Sequence, residues 1–177
     1  GYYGVIDERM DLPLLAQMAE ARPDWQIVLI GPVVKIDPSS LPQAPNLHYL
    51  GMKDYQALPA YLAHFDGALI PFAINESTRY LSPTKTLEYM AAHKPVVSTP
   101  IEDVVALYGQ VVHVGCDAET FIARVEAALT SDPAARRAQE QKLLAQHTWD
   151  GIVQRMQTIL HQTTQGKLKR LKEKKHE

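Results

Sequence analysis

Gln26-Ile27-Val28-Leu29-Ile30-Gly31-Pro32 decides the fold. Successive aliphatic side chains without alternation read as a strand buried on both faces, and Gly31-Pro32 ends it. Such a strand belongs inside a parallel sheet with helices above and below. Working outward, strands are expected at 2–6, 26–30, 47–50, 68–71, 95–98 and 111–114. Between them Leu12, Leu15, Ala16 and Ala19 recur at helical spacing, as do Leu58, Tyr61, Leu62 and Phe65. This alternation predicts an α/β domain, a doubly wound parallel sheet of about six strands with helices on both faces. Beyond Val114 only helices are expected, over 117–130, 133–146 and 150–164, with Asp132 and Pro133 as cap and first residue of the second.

The composition suits one soluble globular domain: 177 residues, 46% hydrophobic and 21% charged. The single cysteine, Cys116, allows no internal disulfide, and no Cys/His cluster or Asp-x-Asp motif calls for a metal. No metal or cofactor is expected. No apolar run approaches the roughly 20 residues of a membrane span, and no signal peptide opens the chain, so a cytoplasmic location is expected. The chain enters a strand almost at Gly1 and reads as cut from something longer. Net charge is −2, yet residues 167–177 carry four net positive charges, leaving residues 1–166 at −6. A body this acidic argues against nucleic acid as a partner. Residues 1–165 are therefore read as the domain and 166–177 as a separate basic tail. The tail suits either an anionic membrane surface, at the inner face of the membrane, or the solvated end of the last helix.

Ligands of open parallel sheets bind outside the carboxyl ends of the strands, which directs attention to the loops there. The most informative runs from Pro71 through Asn75-Glu76-Ser77-Thr78-Arg79-Tyr80-Leu81 to Ser82-Pro83-Thr84-Lys85-Thr86-Leu87-Glu88-Tyr89 and on to Lys94-Pro95-Val96-Val97. Ser82 is expected to cap a helix that starts at Pro83, leaving free backbone N–H groups that attract phosphate. Lys85 adds a positive charge in the first turn, and Glu88 falls one turn later, suited to accept from sugar hydroxyls. Spacing alone favours a plainer alternative, a capped surface helix with Lys85 solvated and Glu88 paired to it.

The whole segment resembles the C-terminal half of GT-B glycosyltransferases of the group 1 type. In these a Pro-ended strand, a long loop, a Ser-Pro-x-Lys-x-x-Glu-Tyr-x-Ala helix and a Lys-Pro-Val-Val strand follow in that order. Leu29-Ile30-Gly31-Pro32, Leu47-His48-Tyr49-Leu50-Gly51-Met52 and Phe65-Asp66-Gly67-Ala68-Leu69-Ile70-Pro71 extend the resemblance over most of residues 1–160. It implies a Rossmann-like domain, one half of a GT-B architecture, that binds a nucleotide-diphosphate sugar. It implies that Ser82, Pro83, Thr84 and Lys85 hold the diphosphate, Glu88 the ribose, and Gly51, Met52 and Lys53 the base side. Many retaining members carry a second glutamate eight positions before the ribose glutamate. Here that position is Tyr80, and Glu76, twelve positions before, is the candidate for the catalytic role.

In the first turn, Gly4 is read as permitting close approach and Arg9 as meeting a phosphate, as a basic residue there does in similar enzymes; an ordinary surface arginine is the alternative. His93 ends a helix where the family commonly has glycine. The expected function is transfer of a UDP-linked sugar to a glycan or surface-polysaccharide acceptor. An N-terminal acceptor domain is expected as the missing partner, without which the chain binds donor and does not transfer sugar. A nucleotide-sugar epimerase of the same fold and a non-catalytic binding module are the alternatives.

Overall fold

The computed structural model describes residues 1–173, and their side chains as far as Gln165. The chain divides into two units, Gly1–Glu140 and Gln141–Glu177. The first contains all six strands: β1 (Tyr2–Tyr3), β2 (Ile27–Ile30), β3 (Leu47–Tyr49), β4 (Ala68–Ile70), β5 (Val96–Ser98) and β6 (His113–Val114). Every pairing between them is parallel. The expected class is therefore found, with one correction. The strands form two three-stranded sheets, β1-β2-β3 and β4-β5-β6, and not one continuous ladder.

The two sheets adjoin along β1 and β4. There the Leu69 N–H donates to the Gly1 carbonyl at 2.8 Å, and the Gly1 amine donates to the Gly67 carbonyl at 2.8 Å. The spatial order is thus 3-2-1-4-5-6, and strand order reverses at this seam, where doubly wound sheets bind their ligands. Just beyond it, the turn after β1 is fastened to the loop after β4. The Asp11 N–H donates to the Pro71 carbonyl at 2.9 Å and the Ala73 N–H to the Arg9 carbonyl at 2.7 Å.

The helices in this unit are α1 (Leu12–Ala21), α2 (Leu58–Ala63), α3 (Glu76–Arg79), α4 (Lys85–Ala91), α5 (Glu102–Tyr108) and α6 (Ala118–Thr130), and α7 (Pro133–Gln146) begins in it. With the two halves running outward in opposite directions, the right-handed rule for such crossovers places α1 and α4 on opposite faces. Asp11 caps α1 by accepting from the Leu14 N–H at 2.9 Å, and Pro13 stands in its first turn. Its buried stripe is Leu14, Leu15, Met18 and Ala19, in place of the Leu12, Leu15, Ala16 and Ala19 read from the sequence. Asp117 caps α6 reciprocally with Thr120, and Phe121, Val125 and Ala128 of α6 are buried. Tyr2, Leu15, Leu29, Ile30, Ile70, Val97 and Phe121 lie at the centre of the core.

His93 follows α4 with φ 56°, the left-handed region. This is the physical reason for a glycine at that point in similar sequences, since only glycine takes the conformation without steric cost. The backbone here is secured from α7, where Arg136 donates Nη2–H to the His93 carbonyl at 3.0 Å and Nε–H to buried Glu140 at 3.1 Å.

The second unit takes in the end of α7 and then α8 (Trp149–Glu173), which runs past Gly166, longer than the 150–164 expected. Trp149, Val153, Met156, Ile159 and Leu160 are exposed at spacings that line one face of the helix. Among the described residues no helix is long and apolar enough to cross a membrane. The basic side chains at 167–175, read as a tail, lie outside the described side chains.

Candidate functional site

The strands β1, β2 and β3 all give way to glycine at their carboxyl ends. Gly4, Gly31 and Gly51 have φ of 142°, 148° and 63°, values that side chains rarely allow. The Gly4 N–H donates to the Ile30 carbonyl at 2.8 Å, and the Gly31 N–H to the Gly51 carbonyl at 3.0 Å. A methyl group on Gly31 would stand 1.8 Å from the Gly4 carbonyl oxygen. The chain thus presents bare backbone across three neighbouring strand ends, and the space where a Gly51 side chain would stand is open.

Lys85 lies across this surface. A methyl group on Gly4 would fall 2.4 Å from Lys85 Cε and 2.9 Å from its Nζ, so the lysine occupies room that Gly4 leaves open. The ammonium makes no hydrogen bond or ion pair with any described residue. Burial pulls its pKa below that of an exposed lysine, the Glu88 charge opposes this, and the nearby Arg9 charge adds to it. Glu88, three residues on, does not pair with Lys85. Its Oε2 instead accepts from the Tyr3 hydroxyl at 2.5 Å. Tyr3 is itself held twice by α4, because its N–H donates to the Tyr89 hydroxyl at 3.2 Å and its ring meets the Tyr89 ring edge-on at 5.1 Å. Burial first, then the Glu88 hydrogen bond and charge, raise the Tyr3 phenol well above its ordinary range, so it stays a proton donor.

Arg9 approaches from the other side of the seam. Its Nε and Nη2 donate to Asp7 at 2.8 and 2.7 Å, its own N–H donates to Asp7 Oδ1 at 3.1 Å, and the guanidinium lies 5.8 Å from the Phe72 ring centre. Asp7 is buried, which alone would raise its pKa, but hydrogen bonds from the Arg9 side chain and backbone together with the Arg9 charge hold it below the usual carboxylate range. Arg9 is thus a fixed cation, not a freely solvated surface arginine.

The other expected residues fall less tightly. The helix starts at Lys85 with Thr84 as N-cap, and Ser82 makes no capping bond, so the expected cap is corrected by two residues. The reason is Pro83, which disfavours helical backbone at Ser82 before it and leads in through a tight turn from the Pro83 carbonyl to the Thr86 N–H at 3.1 Å. Ser82 and Thr84 are exposed and Pro83 is buried beside them. The amides of Thr84 and Lys85 have no partner among the described residues. Past Gly51, Met52 is 78% exposed and Lys53 partly so, and Tyr55, close enough to affect Tyr3, is 85% exposed. Glu76 begins α3, capped by Asn75, and lines a separate depression with Ile74, Arg79, Ile101 and Glu102; no hydrogen bond or ion pair joins it to Arg9, Lys85 or Glu88.

A family model for glycosyl transferases group 1 matches residues 9–131. The chain belongs to that family. It is similar to a Bacillus subtilis (strain 168) protein assigned to teichuronic acid biosynthesis as the glycosyltransferase TuaH, 28% identical over 102 residues, which are 56% of this chain and 26% of the relative. Among solved structures it is similar in fold to a trehalose-6-phosphate synthase, OtsA (TM-score 0.61, 20% identity, 86% of this chain and 40% of that one). It is likewise similar to the E. coli trehalose-6-phosphate protein bound with UDP-2-fluoro glucose (TM-score 0.53, 16% identity, 81% and 39%). The chain spans about a quarter of the length of its curated relative.

Within this group 1 domain, Arg9, Lys85 and Glu88 are brought to one seam, with Gly51 to Lys53 along the neighbouring strand end. Tyr3, Asp7 and Gly31 carry much of the geometry; the sequence singled out Gly31 only as a strand end and the other two not at all. Asp7 stands two residues from Arg9 and was open to recognition as its partner, whereas Tyr3 and Glu88 are 85 residues apart and no local pattern links them. Gly4→Ala is expected to lower stability by about 1–3 kcal/mol, measured by urea unfolding, from its strained φ and its collisions with Lys85 and the Tyr2 hydroxyl. Adding Lys85→Ala should recover the Lys85 part only, and additive effects within about 0.5 kcal/mol would show that the two do not meet.

Proposed function

We propose that this chain is the donor-binding half of a glycosyltransferase, taking a UDP-linked sugar for transfer to a glycan or surface-polysaccharide acceptor. The observation that carries this reading is the half-buried Lys85 ammonium, without a carboxylate partner, over bare glycine backbone and within electrostatic reach of a second cation held by Asp7. Two like charges so arranged repel each other, and a diphosphate between them turns that repulsion into attraction. The free amides at Thr84 and Lys85, with Ser82 and Pro83 beside them, add donors to the same anion. As the glycosidic bond breaks, negative charge grows on the leaving diphosphate, and fixed cations stabilise that state more than the ground state.

In the same reading Glu88 accepts from the ribose hydroxyls, and Gly51, Met52 and Lys53 face the base. Glu76, exposed at the start of α3, takes the catalytic role on the resemblance alone, without a contact to the other site residues. The UDP assignment is supported by the solved relative bound with UDP-2-fluoro glucose, and the polysaccharide acceptor by the relative assigned to teichuronic acid biosynthesis. A second, N-terminal domain supplies the acceptor site, and the exposed apolar face of α8 is a surface suited to packing against further protein. The basic residues at 167–175 hold the protein at an anionic membrane face, where each contributes about 1 kcal/mol.

A thermal-shift screen of UDP, GDP, dTDP and their sugars should find UDP-sugars stabilising the wild type, with most of the effect lost in Glu88→Ala; an unchanged shift in that variant ends the ribose assignment. The chain by itself should bind donor without transferring sugar, and turnover measured in a radiolabelled-sugar assay would contradict the need for a second domain. In liposome flotation with anionic vesicles, the chain should float and a version ending at Gly166 should not. Equal binding removes the membrane role of the tail.

A further inference from the structure

The carboxylate of Glu88 is exposed, and the lysine one turn before it on α4 is at a spacing that ordinarily permits an ion pair. Yet no such pair forms. The Tyr3 hydroxyl occupies Glu88 Oε2 at 2.5 Å, and Tyr3 is fixed to the next residue of the helix through its backbone bond and ring contact with Tyr89. An exposed glutamate would otherwise sample several rotamers, including those reaching toward Lys85. A phenol donating to an ionised carboxylate forms a short, charge-assisted bond, and here its donor is anchored by the core.

We infer that Tyr3 is a positioning residue that sets ribose recognition at the donor site, by holding Glu88 in one orientation and away from Lys85. With Tyr3 on Oε2, Oε1, which has no partner among the described residues, is open to a sugar hydroxyl. The same bond keeps the Lys85 ammonium unpaired and available to an anion. Without the hydroxyl, Glu88 turns toward Lys85 and both groups lose their separate roles. This rests on the donor reading above, in which Glu88 meets the ribose.

The test is calorimetric titration of the 177-residue chain with UDP and 2′-deoxy-UDP, and with GDP and 2′-deoxy-GDP, in the wild type, Tyr3→Phe and Glu88→Ala. Phenylalanine keeps the ring on Tyr89 and removes only the hydroxyl. The wild type should favour the ribonucleotide of the pair it binds, the preference falling about five-fold in Tyr3→Phe, the worth of one hydrogen bond, and vanishing in Glu88→Ala. A purely structural loss weakens both members of a pair alike and leaves their ratio unchanged. If Tyr3→Phe keeps the wild-type ratio while Glu88→Ala loses it, the role of Tyr3 is overturned and the donor reading stands. If Glu88→Ala keeps the ratio, or neither nucleotide binds the wild type, the donor reading itself fails.

Discussion

The backbone of Gly31 passes so close to the Gly4 carbonyl that no side chain can stand there, and the geometry of the whole seam follows from that approach. Because β1 and β2 end in glycine, their carboxyl ends offer main chain where other residues would offer bulk. Lys85 occupies that room, reaching from α4 to β1 across the line where the two sheets adjoin. The turn carrying Arg9 is brought to the same line by backbone bonds to the loop after β4. A change at either glycine therefore disturbs residues far from it in sequence.

Electrostatics explain why this arrangement is maintained at some cost. Placing a lysine in partial burial beside an arginine opposes folding, as the lowered Lys85 pKa records. Structural ion pairs normally relieve such a charge, and Glu88 is near enough in sequence to do so. It is engaged by Tyr3 instead, while Asp7 is committed to Arg9. Each carboxylate at the seam is thus tied to a group other than Lys85, which leaves its ammonium without an ion pair.

The fold was legible because burial on both faces leaves an unalternating aliphatic run, and 26–32 is such a run. The start of the helix at 133–146 was legible for a local reason, Asp132 acting as a cap, whereas Asp117, read as the first residue of its helix, caps it instead. What sequence periodicity could not show was the break between the sheets, since the contacts at the seam are a few backbone bonds at Gly1 that leave no pattern in side chains. The stripe of α1 was misread by its phase, and the start of α4 by taking Ser82-Pro83 as a cap. At the candidate site, Lys85, Glu88 and Arg9 were found by residue type and by resemblance. Their partners were not found: Tyr3 acts from 85 residues away, and Asp7, though only two residues from Arg9, reads as one more surface acid until its burial is known.

The position of the seam has a consequence for how the protein is made. Synthesis delivers β1, β2 and β3 with their glycine ends and the Asp7–Arg9 pair first, and α4 only after β4. A nascent chain can thus close half of its sheet while the other cation and both Tyr3 partners are still unmade. During that interval the edge of β1 and the hydroxyl of Tyr3 lack their later partners, whose arrival waits on the second half of the fold.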